Sequence, residues 1–270
     1  MSNENGQTRR TVLGGLAAGV GALSMADATN AQAQGSAKTF VLVHGAWHGG
    51  WCWRRVSDLL EKKGHKVFTP TMTGLGACSH LISKDVNLTT HITDIKNFIK
   101  WENLSNIVLV GHSYAGIIIS GVAEQLHDKI SSIVFLDAFL PDNGDSLAEK
   151  ASPAFKDVIA QAINRGDVSL KQPPAAAFGV AEADRPWVDG KCTPQPLATY
   201  TEKAVYTGGR DKVAKKTYIR AVKYPQPAFD NALAQCKADK TWRTFEAPGS
   251  GHDVMVDAPD WLTETLLQVS

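Results

Sequence analysis

An α/β fold with a mostly parallel sheet is predicted by three observations in this sequence of 270 residues. Short continuous runs of Val, Ile and Leu recur along the chain, longer amphipathic segments stand between them, and glycines punctuate the junctions. Runs that are apolar throughout, rather than alternating with polar residues, mark strands buried on both faces. Such strands need helices on each side of the sheet.

Taken in order, TFVLV at 39 to 43 reads as the first buried strand. WRRVSDLLEKKG reads as a helix that Gly64 ends, because glycine accepts the left-handed backbone at a helix C-terminus. KVFTP is a second strand, and LTTHITDIKNFIKWE then sets Ile92, Ile95, Phe98 and Ile99 on one helical stripe. NIVLV and SIVFL are two further strands with a helix between them, and KTYIRAV and WRTFEA follow towards the C-terminus. From Pro141 to about Lys212 the rhythm gives way to ASPAFKDVIAQAI, KQPPAAAFGV and DRPWVDGKCTPQP. An irregular excursion of that length in a compact domain is usually functional. It leaves just past the carboxyl end of a strand, where α/β proteins bind ligands, so residues 141 to 212 are read as a cap over a pocket.

With 43% hydrophobic and 20% charged residues, the chain can build one sizeable core, expected over residues 34 to 270. A net charge of +1 without a basic block gives no electrostatic footprint for nucleic acid and no polybasic membrane patch. The expected partner is a small molecule. Residues 1 to 33 stand apart. Arg9 and Arg10 precede TVLGGLAAGVGALSM, which is too short and too weakly apolar to span a membrane, and AQA at 31 to 33 offers a signal-peptidase site. TRRTVL resembles a twin-arginine export signal, which implies a periplasmic or secreted bacterial protein starting near Gln34, with no stable membrane association after cleavage. Cys52, Cys78, Cys192 and Cys236 lack zinc-site spacing and are expected as free thiols. Neither a metal nor a cofactor is expected.

In NIVLVGHSYAGIIISGVAEQL, Ser113 falls at a junction between strand and helix. Gly111, Ala115 and Gly116 leave room for a sharp turn that raises the hydroxyl above the sheet, where the helix N-terminus favours developing negative charge. Ala115 stands where the G-x-S-x-G pattern has its second glycine. A serine nucleophile needs an imidazole base oriented by a carboxylate. His252, in the loop of FEAPGSGHDVMVDAP before the last helix, suits the base, whereas His65, His80, His91 and His127 read as solvated or structural. Asp137, ending SIVFLD, would emerge at the same sheet edge and is favoured as the acid over Asp211 and Asp230, which flank TYIRAV.

An oxyanion needs backbone donors. The N–H of Tyr114 is one candidate. The N–H of Ala46, in VHGAWHGGW, is the other, with Gly45 expected to supply an unusual backbone angle and His44 to brace the turn. His44 and His48 lack a third ligand and read as loop hydrogen-bonding residues rather than a metal pair. Trp47, Trp51, Tyr114, Phe139 and Trp187 are expected to line an apolar pocket.

FVLVHGAWHGGWCWRRVSDLLEKKGHKVFTPTMTGLG, LVGHSYAG, VFLDAFLPDNG and GSGHDVMVDAPDWL, in that order, resemble the α/β-hydrolase superfamily. The likeness is to its branch of plant methylesterases and hydroxynitrile lyases with their bacterial carboxylesterase relatives, from about residue 39 to the C-terminus. It implies Ser113 as nucleophile, His252 as base and Ala46 and Tyr114 as the oxyanion hole. The plant relatives take their acid from the strand before KYPQPAF, which offers no carboxylate here, so Asp137 replaces it. The lyases of the branch carry threonine after the first histidine and lysine beside the catalytic one. Gly45 and Asp253 stand in those places, and a negative Asp253 is expected to repel cyanide. The expected function is hydrolysis of an apolar aryl or alkyl ester through an acyl-enzyme. The alternatives are a hydroxynitrile-lyase-like enzyme, a cofactor-free haloperoxidase-like activity, and a non-catalytic small-molecule binder.

Overall fold

Six parallel strands form the central sheet in a computed structural model that describes residues 36–270. The export signal expected at residues 1–33 lies outside the described residues. β1 (Thr39–Val43) leads into α1 (Arg54–Lys62), followed by β2 (Lys66–Phe68), α2 (Leu88–Trp101), β3 (Ile107–His112), α3 (Ala115–Leu126) and β4 (Ile130–Leu136). The excursion read as a cap consists of short helices, α4 (Leu147–Lys150), α5 (Pro153–Arg165), α6 (Arg185–Lys191) and α7 (Ala198–Thr201). They accompany an antiparallel ribbon of β5 (Ser169–Leu170) and β6 (Gln195–Pro196). The chain rejoins the sheet with β7 (Lys215–Arg220), α8 (Pro227–Ala238), β8 (Trp242–Glu246), α9 (Val254–Asp257) and α10 (Pro259–Val269).

The strand order is β2-β1-β3-β4-β7-β8. Its direction reverses at β1, so the loops leaving β1 and β3 diverge and open a crevice at their carboxyl ends, the usual ligand position in such sheets. The loop bearing His44 to His48 leaves β1, and Ser113 leaves β3. β3 is buried along its whole length, as its uninterrupted apolar run requires. α3 packs close against the exit of β4. A Cβ on Gly116 would lie 2.0 Å from the carbonyl oxygen of Phe139, so only glycine fits there.

The buried stripe of α2 is Leu88, His91, Ile95 and Ile99, with Ile92 and Phe98 half-buried at its margins. His91 is thus a structural residue inside the core rather than a solvated one. It accounts for its polar atoms by bonding the Thr73 carbonyl at 2.8 Å and the Tyr114 hydroxyl at 3.2 Å.

Candidate active site

Ser113 holds a left-handed backbone, φ +56°, a conformation that costs a non-glycine residue about 1–3 kcal/mol and persists only when its surroundings enforce it. The exit of β4 does so. The Ser113 N–H donates to the Leu136 carbonyl and the Phe139 N–H to the Ser113 carbonyl, both at 3.1 Å. Between those two residues lies Asp137, itself at φ +42°, with its N–H on the Ile219 carbonyl of β7. Serine and carboxylate are therefore set by one pair of neighbouring strand ends.

The hydroxyl oxygen of Ser113 is 2.8 Å from His252 Nε2, and His252 Nδ1 is 2.6 Å from Asp137 Oδ2. Asp137 is fully buried, and its Oδ1 accepts from Arg220 at 2.7 Å and from the Ala221 N–H at 2.9 Å. Three donors hold this buried carboxylate in one orientation. Arg220 is buried with it, and Asp230 takes a second face of the guanidinium at 2.9 Å. The end of β7, before KYPQPAF, thus supplies the cation that orients the carboxylate rather than a carboxylate itself. Asp230 reaches the site only through Arg220, and Asp211 bonds the Tyr206 hydroxyl away from it.

The N–H groups of Ala46, which lines the same cavity as Ser113, and of Tyr114, its neighbour in the chain, have no protein acceptor among the described residues. Gly45 does not adopt a left-handed angle; Trp47 does, at φ +64°. The glycine is required for space, since a Cβ on it would come within 2.8 Å of His112 Nδ1 and 2.9 Å of Ser113 Cβ. The excursion holds Trp47 in place. Gln195 Oε1 accepts the Trp47 N–H at 3.0 Å, Leu170 O accepts its indole N–H at 3.2 Å, and the Thr193 N–H donates to its carbonyl at 2.9 Å. His252 is tied to the same excursion through its N–H on the Phe178 carbonyl at 2.7 Å.

Ser113 and His252 open into a cavity of about 200 Å³ walled by Trp47, Phe139, Phe155, Phe178, Tyr200 and Phe229, among others. Tyr224 and Phe229 stack on the His252 imidazole, with ring centroids 4.5 and 5.5 Å away. Of the aromatic residues expected from sequence, Trp47 and Phe139 line this cavity. Trp51 and Trp187 do not. Once the Trp47 backbone turns left-handed, Trp51 falls behind the loop, stacked on His48 at 5.2 Å and edge-on to Trp187 at 5.1 Å. The Tyr114 ring points instead into the core beside His91. Asp253 is also absent from the lining and fully buried, its carboxylate turned to His48 at 3.1 Å, so repulsion of cyanide by Asp253 does not follow from its placement.

The histidines flanking the site are buried, and burial dominates the protonation of His44, His91 and His112. Burial pulls His44 down to about 3. That suits a neutral ring donating to the Gly45 carbonyl at 2.9 Å and accepting the Met72 N–H at 3.1 Å, a brace for the oxyanion turn. Burial likewise lowers His91 and pushes His112 well below 6.5. Unfolded, these rings take up protons below about 6.5, whereas His44 in the fold resists until about 3. Stability should therefore fall as pH drops from 6.5 towards 3, by up to about 1.4 kcal/mol per unit for each such histidine. His48, whose pKa is raised, is charged in both states at the lower end of this window and there adds nothing to the slope. Urea midpoints should decline steadily as the pH is lowered from about 6.5 to 5.

A strained serine on a turn between strand and helix, with its imidazole and carboxylate, defines a site of the α/β-hydrolase type. The family model described as "Alpha/beta hydrolase family" matches residues 40–265, and the chain belongs to that family. It is similar to the carbendazim hydrolyzing esterase of Nocardioides sp. (strain SG-4G), 44% identical over 238 residues that cover 84% of this chain and 97% of that one. Methylesterase 2 of Arabidopsis thaliana is 37% identical over 127 residues, 43% of each chain. Among solved structures, an extracellular alpha/beta-hydrolase from a Paenibacillus species superposes with a TM-score of 0.76 at 25% identity. The match covers 86% of this chain and 99% of that one, whose structural and functional homology is to tobacco Salicylic Acid Binding Protein 2.

Proposed function

We propose that this ester hydrolase is a cofactor-free serine carboxylesterase for small uncharged esters, working through an acyl-enzyme on Ser113. One observation carries the reading: the unbroken relay from Asp137 to His252 to Ser113, at 2.6 and 2.8 Å, opening beside two N–H groups without acceptors. His252 takes the proton as Ser113 attacks the ester carbonyl. The N–H groups of Ala46 and Tyr114 stabilise the oxyanion, and the imidazolium then protonates the departing alcohol. Water repeats the sequence on the acyl-enzyme. Asp137, fixed by Arg220 and Ala221, keeps Nδ1 protonated so that Nε2 can act as base.

Among the described residues, the cavity wall contains no Lys, Arg, Asp or Glu, so a charged substrate would lose its hydration without gaining a partner. An aromatic or alkyl ester would instead bury its apolar surface against Trp47, Phe139 and Phe178. The relatives, a carbendazim hydrolyzing esterase and a methylesterase, support an ester as the target. Export through the twin-arginine route with cleavage near Gln34 is part of the proposal, supported by Arg9, Arg10 and the AQA triplet and by the extracellular neighbour.

The test is to express the full chain in a bacterium with a twin-arginine translocase, then sequence the N-terminus of the recovered enzyme and label it with a fluorophosphonate. One equivalent should attach to the Ser113 peptide as hydrolysis of p-nitrophenyl acetate disappears, and the N-terminus should lie near Gln34. Complete labelling elsewhere, or activity surviving labelling of Ser113, overturns the nucleophile. Recovery with residues 1–33 intact overturns the export reading.

A further inference from the structure

We propose that the His48–Asp253 pair is a positioning device for the esterase reaction, locking the oxyanion loop to the loop of the catalytic histidine, and that it does so only while His48 carries both ring protons. The proposal rests on the reading of Ser113 and Ala46 given above.

Hydrogen-bond chemistry dictates the charge. His48 Nδ1 lies 2.8 Å from the Ala46 carbonyl oxygen and Nε2 lies 3.1 Å from Asp253 Oδ2. Both partners accept only, so both ring nitrogens must donate and the ring is an imidazolium facing a carboxylate. Burial opposes charging His48, but the charge and hydrogen bond of Asp253 outweigh it and raise the histidine well above 6.5. Burial likewise opposes ionisation of Asp253, yet His48 holds the carboxyl at about 2.

The pair joins three pieces of the site. Ala46, whose carbonyl His48 grips, carries an oxyanion N–H, and Asp253 directly follows His252. His112, which precedes Ser113, donates from Nε2 to the His252 carbonyl at 3.0 Å and lies 3.8 Å from Asp253 Oδ1. Neither His48 nor Asp253 lines the cavity, so the pair reaches the reaction through Ala46 and His252 alone. The other groups packed on His48 are His112, the Trp51 and Phe178 rings, and the Cys192 thiol, whose sulfur is 4.0 Å from Nε2. His44 and Cys52 lie farther out in the same cluster. Asp253 is the carboxylate that compensates the imidazolium. A buried ion pair contributes little net stability compared with apolar packing, whereas it fixes geometry well. When His48 loses a proton, a lone pair turns to a carbonyl or a carboxylate oxygen, and one of the two tethers breaks.

The experiment compares the wild type, Asp253→Ala and Asp253→Asn, with kcat counted per fluorophosphonate-labelled Ser113 so that unfolded molecules drop out. Asp253→Ala should lose about 10- to 100-fold in kcat with KM within twofold, because the oxyanion donor is displaced rather than removed. Asp253→Asn should recover most of that loss, since its amide can donate to the Nε2 of a neutral His48 while Nδ1 still donates to Ala46. The wild-type kcat should fall on an alkaline limb that Asp253→Asn lacks. A wild type that turns over while Asp253→Ala stays within twofold of it, or an Asp253→Asn profile with the wild-type limb, overturns this inference and leaves the esterase reading standing. A wild type without ester turnover overturns both.

Discussion

Asp137→Asn is expected to lower kcat roughly ten-thousand-fold with little change in KM or in the fold, the magnitude that follows when a catalytic histidine is held in the wrong tautomer. The surroundings of Asp137 decide how an asparagine would sit. Arg220 and the Ala221 N–H both donate to the Oδ1 position, so the amide must place its oxygen there and its NH2 group towards His252. The amide then donates to Nδ1, which drives the ring proton to Nε2, and His252 can no longer accept the proton of Ser113. The guanidinium of Arg220 keeps Asp230 at 2.9 Å and the carbonyls of Ala221 and Tyr224, both at 2.6 Å, which is why folding should survive. Ser113→Ala should cost at least as much, and the double variant should be no slower than the slower single one, because the residues act as a unit. Asp211→Asn and Asp230→Asn should stay within tenfold of the wild type. Steady-state kinetics on p-nitrophenyl acetate checks all five variants; an Asp137→Asn enzyme within tenfold of the wild type would remove Asp137 from the acid role.

How far the sequence was legible depended on how local each signal is. Continuous apolar runs marked β1, β3 and β4, because a strand buried on both faces has few polar positions to interrupt it, whereas β7 and the half-exposed β8 mix polar residues among apolar ones. The Ser113 turn was legible for the same reason: the small residues it needs, Gly111, Ala115 and Gly116, are its neighbours in the chain. Asp137 could be placed at the right sheet edge from strand order, but its partner Arg220 could not, since the contact joins residues 83 positions apart. An arginine ending a buried strand was the available signal, because such a charge must find a carboxylate. Trp51 and Trp187 went astray because the left-handed turn at Trp47, imposed by the distant Gln195 and Leu170, reverses which side of the loop faces the cavity. His48 and Asp253 each carried a separate reading, one as a loop residue and the other as a repeller of anions. Their pairing across 205 positions gives both a different task.

Gly45→Ala should cost about 10²- to 10³-fold in kcat, comparable to losing an oxyanion donor outright, through a single added methyl group. No atom beside that methyl can yield cheaply. His112 Nδ1 would stand at 2.8 Å on a buried ring whose other nitrogen is bonded to the His252 carbonyl, and Ser113 Cβ would stand at 2.9 Å on an already strained backbone. The His112 carbonyl follows at 3.3 Å. The oxyanion loop must therefore move away from the serine, and the next donor along that loop is the Ala46 N–H. Oxyanion donors work over a span of about 2.7–3.1 Å, so a shift of a few tenths of an ångström removes the bond in the transition state while leaving the aromatic cavity able to bind ester. KM should consequently change little. Overpacking should also destabilise by about 1–3 kcal/mol, a cost separable by urea denaturation from the kinetic loss. Gly190→Ala is the matched control, since its Cβ would meet nothing within 4 Å and it lies in α6, where alanine is the better helix former. Thr at position 45 should be worse than Ala, because the same crowded Cβ would carry two further heavy atoms. If Gly45→Ala matched Gly190→Ala in kcat, the β1 loop would not be the source of the second oxyanion donor.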